Sequence, residues 1–139
     1  MRDIEIAKEL LKKEDYTLVV VKDGDIIFTS KEKGIKPMYN LIKNMKEEAK
    51  GASIADKVIG RGAALLSNYV KIKEVFGEVI SKEAVEVLEE NNIDYSFSVI
   101  CDYIKNRDKT GLCPIENLSL GQTDVKVFIE ELESFFKSK

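Results

Sequence analysis

Apolar residues along this chain alternate between helical spacing and β-type runs. Ile4, Ala7, Leu10 and Leu11 recur every three or four positions and predict a first helix over about residues 3–13. Leu18 to Val21 (LVVV) is continuously apolar, the pattern of a strand covered on both faces. Asp23-Gly24 separates it from Asp25–Thr29 (DIIFT). An Asp-Gly pair between two β-type runs predicts a hairpin, because glycine accepts the positive φ of a tight turn. Gly34 closes the next loop, Pro37 suits the first turn of a helix, and Met38, Leu41, Ile42 and Met45 supply that helix with an apolar stripe.

Ser53 to Leu66 (SIADKVIGRGAALL) reads as a glycine-entered helix. Ile54, Ala55, Val58, Ile59, Gly62, Leu65 and Leu66 fall at helical spacing, and Ser53 with Asp56 forms a capping-box-like S-x-x-D. Lys71–Ile80 predicts a strand, and Ser81 is the expected cap of a helix carrying Ala84, Val85 and Leu88. Residues 93–104 alternate: Tyr95, Phe97, Val99, Cys101 and Tyr103 on one face, Asp94, Ser96, Ser98 and Asp102 on the other. A polar loop over 105–113 leads to a short helix from Pro114. A last helix from Thr123 presents Val125, Phe128, Ile129, Leu132, Phe135 and Phe136 on one face.

The expected order is therefore α-β-β-α-α-β-α-β-(α)-α in one domain, 1–139. A hairpin followed by β-α-β predicts an α/β fold: a three-layer α-β-α sandwich whose mixed sheet has an antiparallel edge.

Composition narrows the chemistry. With 139 residues and 44% hydrophobic, the chain is long enough to build a sizeable core. A net charge of -3 with interspersed signs gives no reason to expect nucleic-acid or membrane binding. No apolar run approaches the ~20 residues that span a bilayer, and the N-terminus lacks a signal-peptide core. Two cysteines, Cys101 and Cys113, make neither a disulfide scaffold nor a zinc ribbon. A reduced, cytoplasmic setting is expected. The chain has no histidine, which removes the commonest general base and metal ligand.

The expected anion site is the glycine-approached helix start at Gly51, Ala52 and Ser53. Asp56 stands in its first turn, and the cations Lys57 and Arg61 are one turn apart. Capping alone accounts for Asp56 equally well, and a solvated helix face accounts for Lys57 and Arg61. Cys113 at a proposed helix start is either a reactive thiol or a small inert hydrophobe. Glu116 in the first turn after Pro114 has the same two readings as Asp56. Cys101, on the apolar face of its strand, is expected in the core.

K-G-A-S-I-A-D-K-V-I-G at 50–60, C-P-I-E at 113–116 and V-V-K-D-G-D-I-I-F at 20–28 resemble the domain-of-unknown-function family 1893. The resemblance spans nearly the whole chain and implies a cytidine-deaminase-like fold with no assigned activity. Zinc deaminases carry H-A-E or C-A-E at one helix start and P-C-x-x-C at another. Laid on this chain, the first motif puts Ile54 in the metal-ligand position and Asp56 in that of the proton-shuttling glutamate. The second keeps Cys113 and exchanges the other thiolate for Glu116. Two donors do not make a tetrahedral zinc site, so neither zinc nor any other cofactor is expected.

The resulting expectation is a zinc-free domain that binds a nucleotide or other phosphorylated small molecule in a regulatory or binding role. Its site would lie between the Ser53 and Pro114 helix starts. The alternatives are an enzyme using Asp56, Cys113 and Glu116 in metal-free or carboxylate-metal chemistry, and a structural subunit without a ligand. The fold resemblance also suggests a homo-oligomer, with twofold association the commonest arrangement.

Overall fold

The computed structural model describes residues 1–102, 104 and 124–137. In chain order it comprises α1 (Asp3–Lys13), β1 (Leu18–Lys22), β2 (Asp25–Ser30), α2 (Lys36–Ala49), β3 (Ser53–Ile59), α3 (Arg61–Tyr69), β4 (Glu74–Ser81), α4 (Lys82–Glu90), β5 (Asp94–Cys101) and α5 (Val125–Lys137). The strands form one sheet in the order β2-β1-β3-β4-β5. β1 runs antiparallel to both β2 and β3, whereas β3, β4 and β5 are parallel.

The apolar run of β1 is continuous because both faces of the strand are covered. Leu18 and Val20 join a large cluster with side chains of α2, α3, α4 and α5. Val19 and Val21 join a smaller one with Ile4, Ala7 and Leu11 of α1. One helix thus covers one face and four cover the other, giving the expected three layers. The Asp23-Gly24 turn has positive φ at both residues, 52° and 83°. This is the primed geometry whose twist matches the flanking strands. The Asp3 carboxylate, in the first turn of α1, accepts the amide N–H of Asp23 and of Gly24, each at 2.9 Å.

The stretch from Ser53 corrects the expected helix. Residues 53–59 are the central strand β3, and the helix begins only at Arg61. Ile54, Ala55, Val58 and Ile59 fit helical spacing, but a strand buried on both faces also carries apolar residues without alternation. Two glycines decide the outcome. Gly51, at φ 80°, turns the chain after α2. Gly60 is extended (φ -98°, ψ -175°) and interrupts the run before α3. Ser53 therefore pairs with Val21 and Glu74 and caps nothing.

The three parallel strands share one irregularity. The pairing of β3 with β4 passes from Asp56–Gly77 to Val58–Val79, skipping Lys57 and Glu78. That of β4 with β5 passes from Gly77–Phe97 to Val79–Val99, skipping Glu78 and Ser98. Side chains five apart should lie on opposite faces of a strand. Yet Ile54 and Ile59 both enter the helix-side cluster, and so do Val75 and Ile80. The skip reverses the alternation halfway along.

The alternation read in residues 93–104 does not bury its apolar face. Tyr95 packs against the core, but Phe97 is 40% and Val99 55% exposed. β5 pairs only with β4 among the described residues, and Cys101 is half-buried, its Sγ 3.6 Å from the Ile80 carbonyl oxygen. The last helix follows its expected stripe. Phe128 and Leu132 of α5 are fully buried, and Ile129 and Phe136 pack beside them. The loop over 105–113 and the helix expected from Pro114 lie outside the described residues. No described helix is long and apolar enough to cross a membrane.

Candidate functional site

β3 ends at Ile59 and β4 runs on to Ser81, with Ile59 and Ile80 side by side in the parallel ladder. Gly60 and Ser81, the residues that open α3 and α4, are therefore neighbours across the sheet. Both helices start at the carboxyl ends of the strands, where open α/β sheets commonly receive ligands.

The two starts differ. Ser81 is fully buried, and its Oγ accepts the Ala84 N–H at 3.1 Å, closing the first turn of α4. Gly60 has no side chain to offer, and among the described residues no side chain caps α3. Its carbonyl accepts the Ala64 N–H at 3.1 Å, while the amides of the first turn point along the helix axis, out from the carboxyl ends of the strands. Each start is followed by a cation, Arg61 in α3 and Lys82 in α4. The Lys82 ammonium pairs with Asp102, just after β5, at 2.8 Å. Aligned amides and nearby cations suit an anion.

The expected site residues divide over this frame. Gly51, Ala52 and Ser53 lie at the opposite end of β3 from Arg61. A seven-residue strand at ~3.3 Å per residue separates them by about 20 Å. Gly51 donates its N–H to the Lys71 carbonyl at 2.8 Å, and Ala52 and Ser53 are buried in the sheet. Their expected place beside Arg61 at one helix start is corrected. Lys57 and Arg61 are not one helical turn apart either. Lys57 is on the strand, and its ammonium lies 3.4 Å from Asp15, beyond the end of α1. Cys113 and Glu116 lie outside the described residues.

Asp56 is a strand residue, not an acid in a first helical turn. It stands between Leu18 of β1 and Gly77 of β4 and is only 9% exposed. Its carboxylate accepts the Val58 N–H at 3.2 Å, while the Lys57 N–H goes to the Thr17 carbonyl at 3.0 Å. Burial raises its pKa to about 7, against the smaller opposing effect of the neighbouring backbone amides of Val58 and Lys57. A carboxyl poised near neutrality can hold or release a proton at ordinary pH.

The zinc-site reading changes with the helix boundary. The start to which a first zinc motif would belong is Gly60-Arg61-Gly62, which offers no nitrogen, sulfur or carboxylate donor and carries a guanidinium. Among the described residues no group of three or more Cys, Asp or Glu side chains could hold a metal ion. These residues do not fit the deaminase zinc. Sequence reasoning missed Gly60 as a helix opener, although the β-branched pair Val58-Ile59 followed by glycine was a usable signal.

Structural comparison agrees with this architecture. The crystal structure of a DUF1893 family protein (TM1506) from Thermotoga maritima superposes with a TM-score of 0.87 at 28% identity, covering 95% of this chain and 88% of that one. Acinetobacter baumannii RibD, form 2, gives a TM-score of 0.50 at 16% identity over 91% of this chain and 39% of that one. A dCMP deaminase from the cyanophage S-TIM5, in apo form, gives 0.48 at 10% identity over 71% of this chain and 94% of that one. No curated protein matches the chain. The sheet order and the RibD likeness give a cytidine-deaminase-like α/β fold. The sequence profile of the Domain of unknown function (DUF1893) matches residues 6–136, and the chain belongs to that family.

Proposed function

We propose that this protein is a zinc-free, deaminase-like domain that binds a nucleotide or other phosphorylated small molecule at the start of α3, in a binding or regulatory role. The observation that carries the reading is the pairing of a helix start whose N-cap is a glycine, Gly60-Arg61-Gly62, with the neighbouring start at Ser81-Lys82. The phosphate would accept the first-turn amides of α3, with Arg61 supplying a planar, permanently charged partner. The ligand residues expected at Gly51–Ser53 are replaced in this reading by Gly60, Arg61 and Gly62.

Titration calorimetry with nucleoside mono-, di- and triphosphates and with inorganic phosphate tests it. Binding below about 1 mM (~4 kcal/mol) is expected, weakened about tenfold by Arg61→Ala (~1.4 kcal/mol). No binding in that range, or equal binding by the variant, overturns it.

A second reading, acid–base chemistry at Asp56 with Cys113 and Glu116, draws support from the raised proton affinity of Asp56. Turnover of a phosphorylated substrate that Asp56→Asn abolishes while binding persists would favour it.

A further inference from the structure

β5 is an outer strand without the features that keep outer strands apart. Among the described residues it pairs only with β4, and β2 is the outer strand at the other edge of the sheet. An outer strand presents a row of backbone N–H and C=O groups to any strand that arrives. β2 begins with the charged Asp25, and its pairing shifts register beside Val21. Charge and irregularity of this kind discourage edge pairing. β5 has neither. Its register with β4 is unshifted from end to end, and Tyr95–Cys101 (YSFSVIC) contains no charged residue and no proline. Phe97, Ser98, Val99 and Ile100 are all exposed. We infer that the β5 edge is a self-association surface: it pairs antiparallel with β5 of a second copy, about a twofold axis, and joins two five-stranded sheets into one.

The sides on which these residues lie select a second copy as the occupant. Tyr95 packs against the helix-side core, and Phe97, two residues on, stacks with it at 6.5 Å between ring centroids. Ile100 pairs with Ile80, which enters the same core. Phe97 and Ile100 therefore share the four-helix side, because the alternation reverses between them. When Phe97 of one copy faces Ile100 of the other, the twofold axis repeats the contact in the opposite sense. Two pairs of exposed apolar side chains are then covered, the kind of cross-strand contact that stabilises a sheet. The same register sets Asp102 opposite Tyr95, and Asp102 brings its own counter-ion, Lys82. Asp94 falls outside the paired stretch. No like charges oppose one another, as a surface that meets itself requires. On the other side of the sheet, Val58, Val79 and Val99 stand in one row across three strands. Val79 precedes Ile80 and so points to the α1 side. Val58 and Val99 are exposed, and joining two β5 strands sets the valine rows of both copies end to end. No ligand at α3 is needed for this pairing.

Sedimentation equilibrium of the full chain tests it, together with amide hydrogen exchange of the wild type at low and high concentration. The wild type should dimerise with a Kd of about 10 μM or tighter. Val99→Lys and Phe97→Lys, which place the lysine that guards natural sheet edges, should each weaken the dimer about tenfold or more, since each substitution enters twice. Ile26→Lys, on the opposite edge strand β2, should leave it unchanged. Exchange within residues 95–100 should slow about fivefold between ~1 and ~300 μM protein, as those amides become paired. A monomer throughout this range would overturn the inference and leave the edge to a strand of another protein. A dimer that tolerates both β5 lysines, one that Ile26→Lys weakens equally, or exchange at 95–100 that ignores concentration would also overturn it. If a lysine variant does not fold, the wild-type exchange comparison decides by itself.

Discussion

Ile59 occupies the space that a side chain at Gly77 would need. A Cβ built on Gly77 would lie 3.2 Å from both Cγ1 and Cδ1 of Ile59, and 3.2 Å from the Val79 carbonyl oxygen. Ile59 is fully buried and the carbonyl belongs to the strand itself, so neither can withdraw freely. Gly77→Ala should therefore destabilise the fold, by about 1–3 kcal/mol as overpacking usually does. Urea denaturation of the two proteins side by side checks this. An unchanged midpoint would mean that Ile59 can move aside.

Asp56 makes stability depend on pH in a defined direction. Its pKa is about 7 in the folded protein against 3.8 as the reference value. The folded state thus binds the proton more tightly than the unfolded one. The stability this contributes is complete below pH ~4, falls as pH rises towards 7 and is gone above it, a loss of roughly 4 kcal/mol. Denaturation midpoints measured from pH 4 to 8 should decline over this window, and the decline should be largely absent in Asp56→Asn.

The α4 start offers a smaller, local test. Ser81 is buried with its Oγ bonded to the Ala84 amide. Ser81→Ala should cost about 1 kcal/mol, the usual loss for a helix cap. Thermal melts resolve a change of this size, and Ser81→Thr should recover part of it.

On α5, Phe128 is fully buried against the core that α3 shares. Phe128→Ala should cost about 3–5 kcal/mol. If denaturation shows no loss, α5 contributes nothing to the cooperative unit.

The hairpin, α1, α2 and α5 were legible because each combines one clear period with one strong punctuation: Asp23-Gly24, Pro37, or the Phe128–Leu132 stripe. β3 was not, for a reason rooted in its position. A central strand covered on both faces loses the alternation that distinguishes strand from helix, and Ile54, Ala55, Val58 and Ile59 match both patterns. That ambiguity carried the site with it. Arg61 reads as an interior residue of a helix starting at Ser53, whereas it is the first residue of a helix that Gly60 opens. Asp56 was singled out for its charge near an expected helix dipole. Its distinguishing property, burial in the sheet, depends on Leu18 and Gly77, which come from remote parts of the chain. β5 misled in the opposite way: its pattern alternates well, yet Phe97 and Val99 remain exposed.

The skipped pair in β3 and β4 also changes what a substitution scan of these strands will look like. Each strand behaves as two half-strands set half a period out of phase. Up to Asp56 the even positions of β3 point to the four-helix layer, whereas Ile59 shows that odd positions do so beyond Lys57. Tolerance to polar replacement should follow one rhythm before the skip and its mirror image after it, so that a single inserted residue at Lys57 would scramble only the second half.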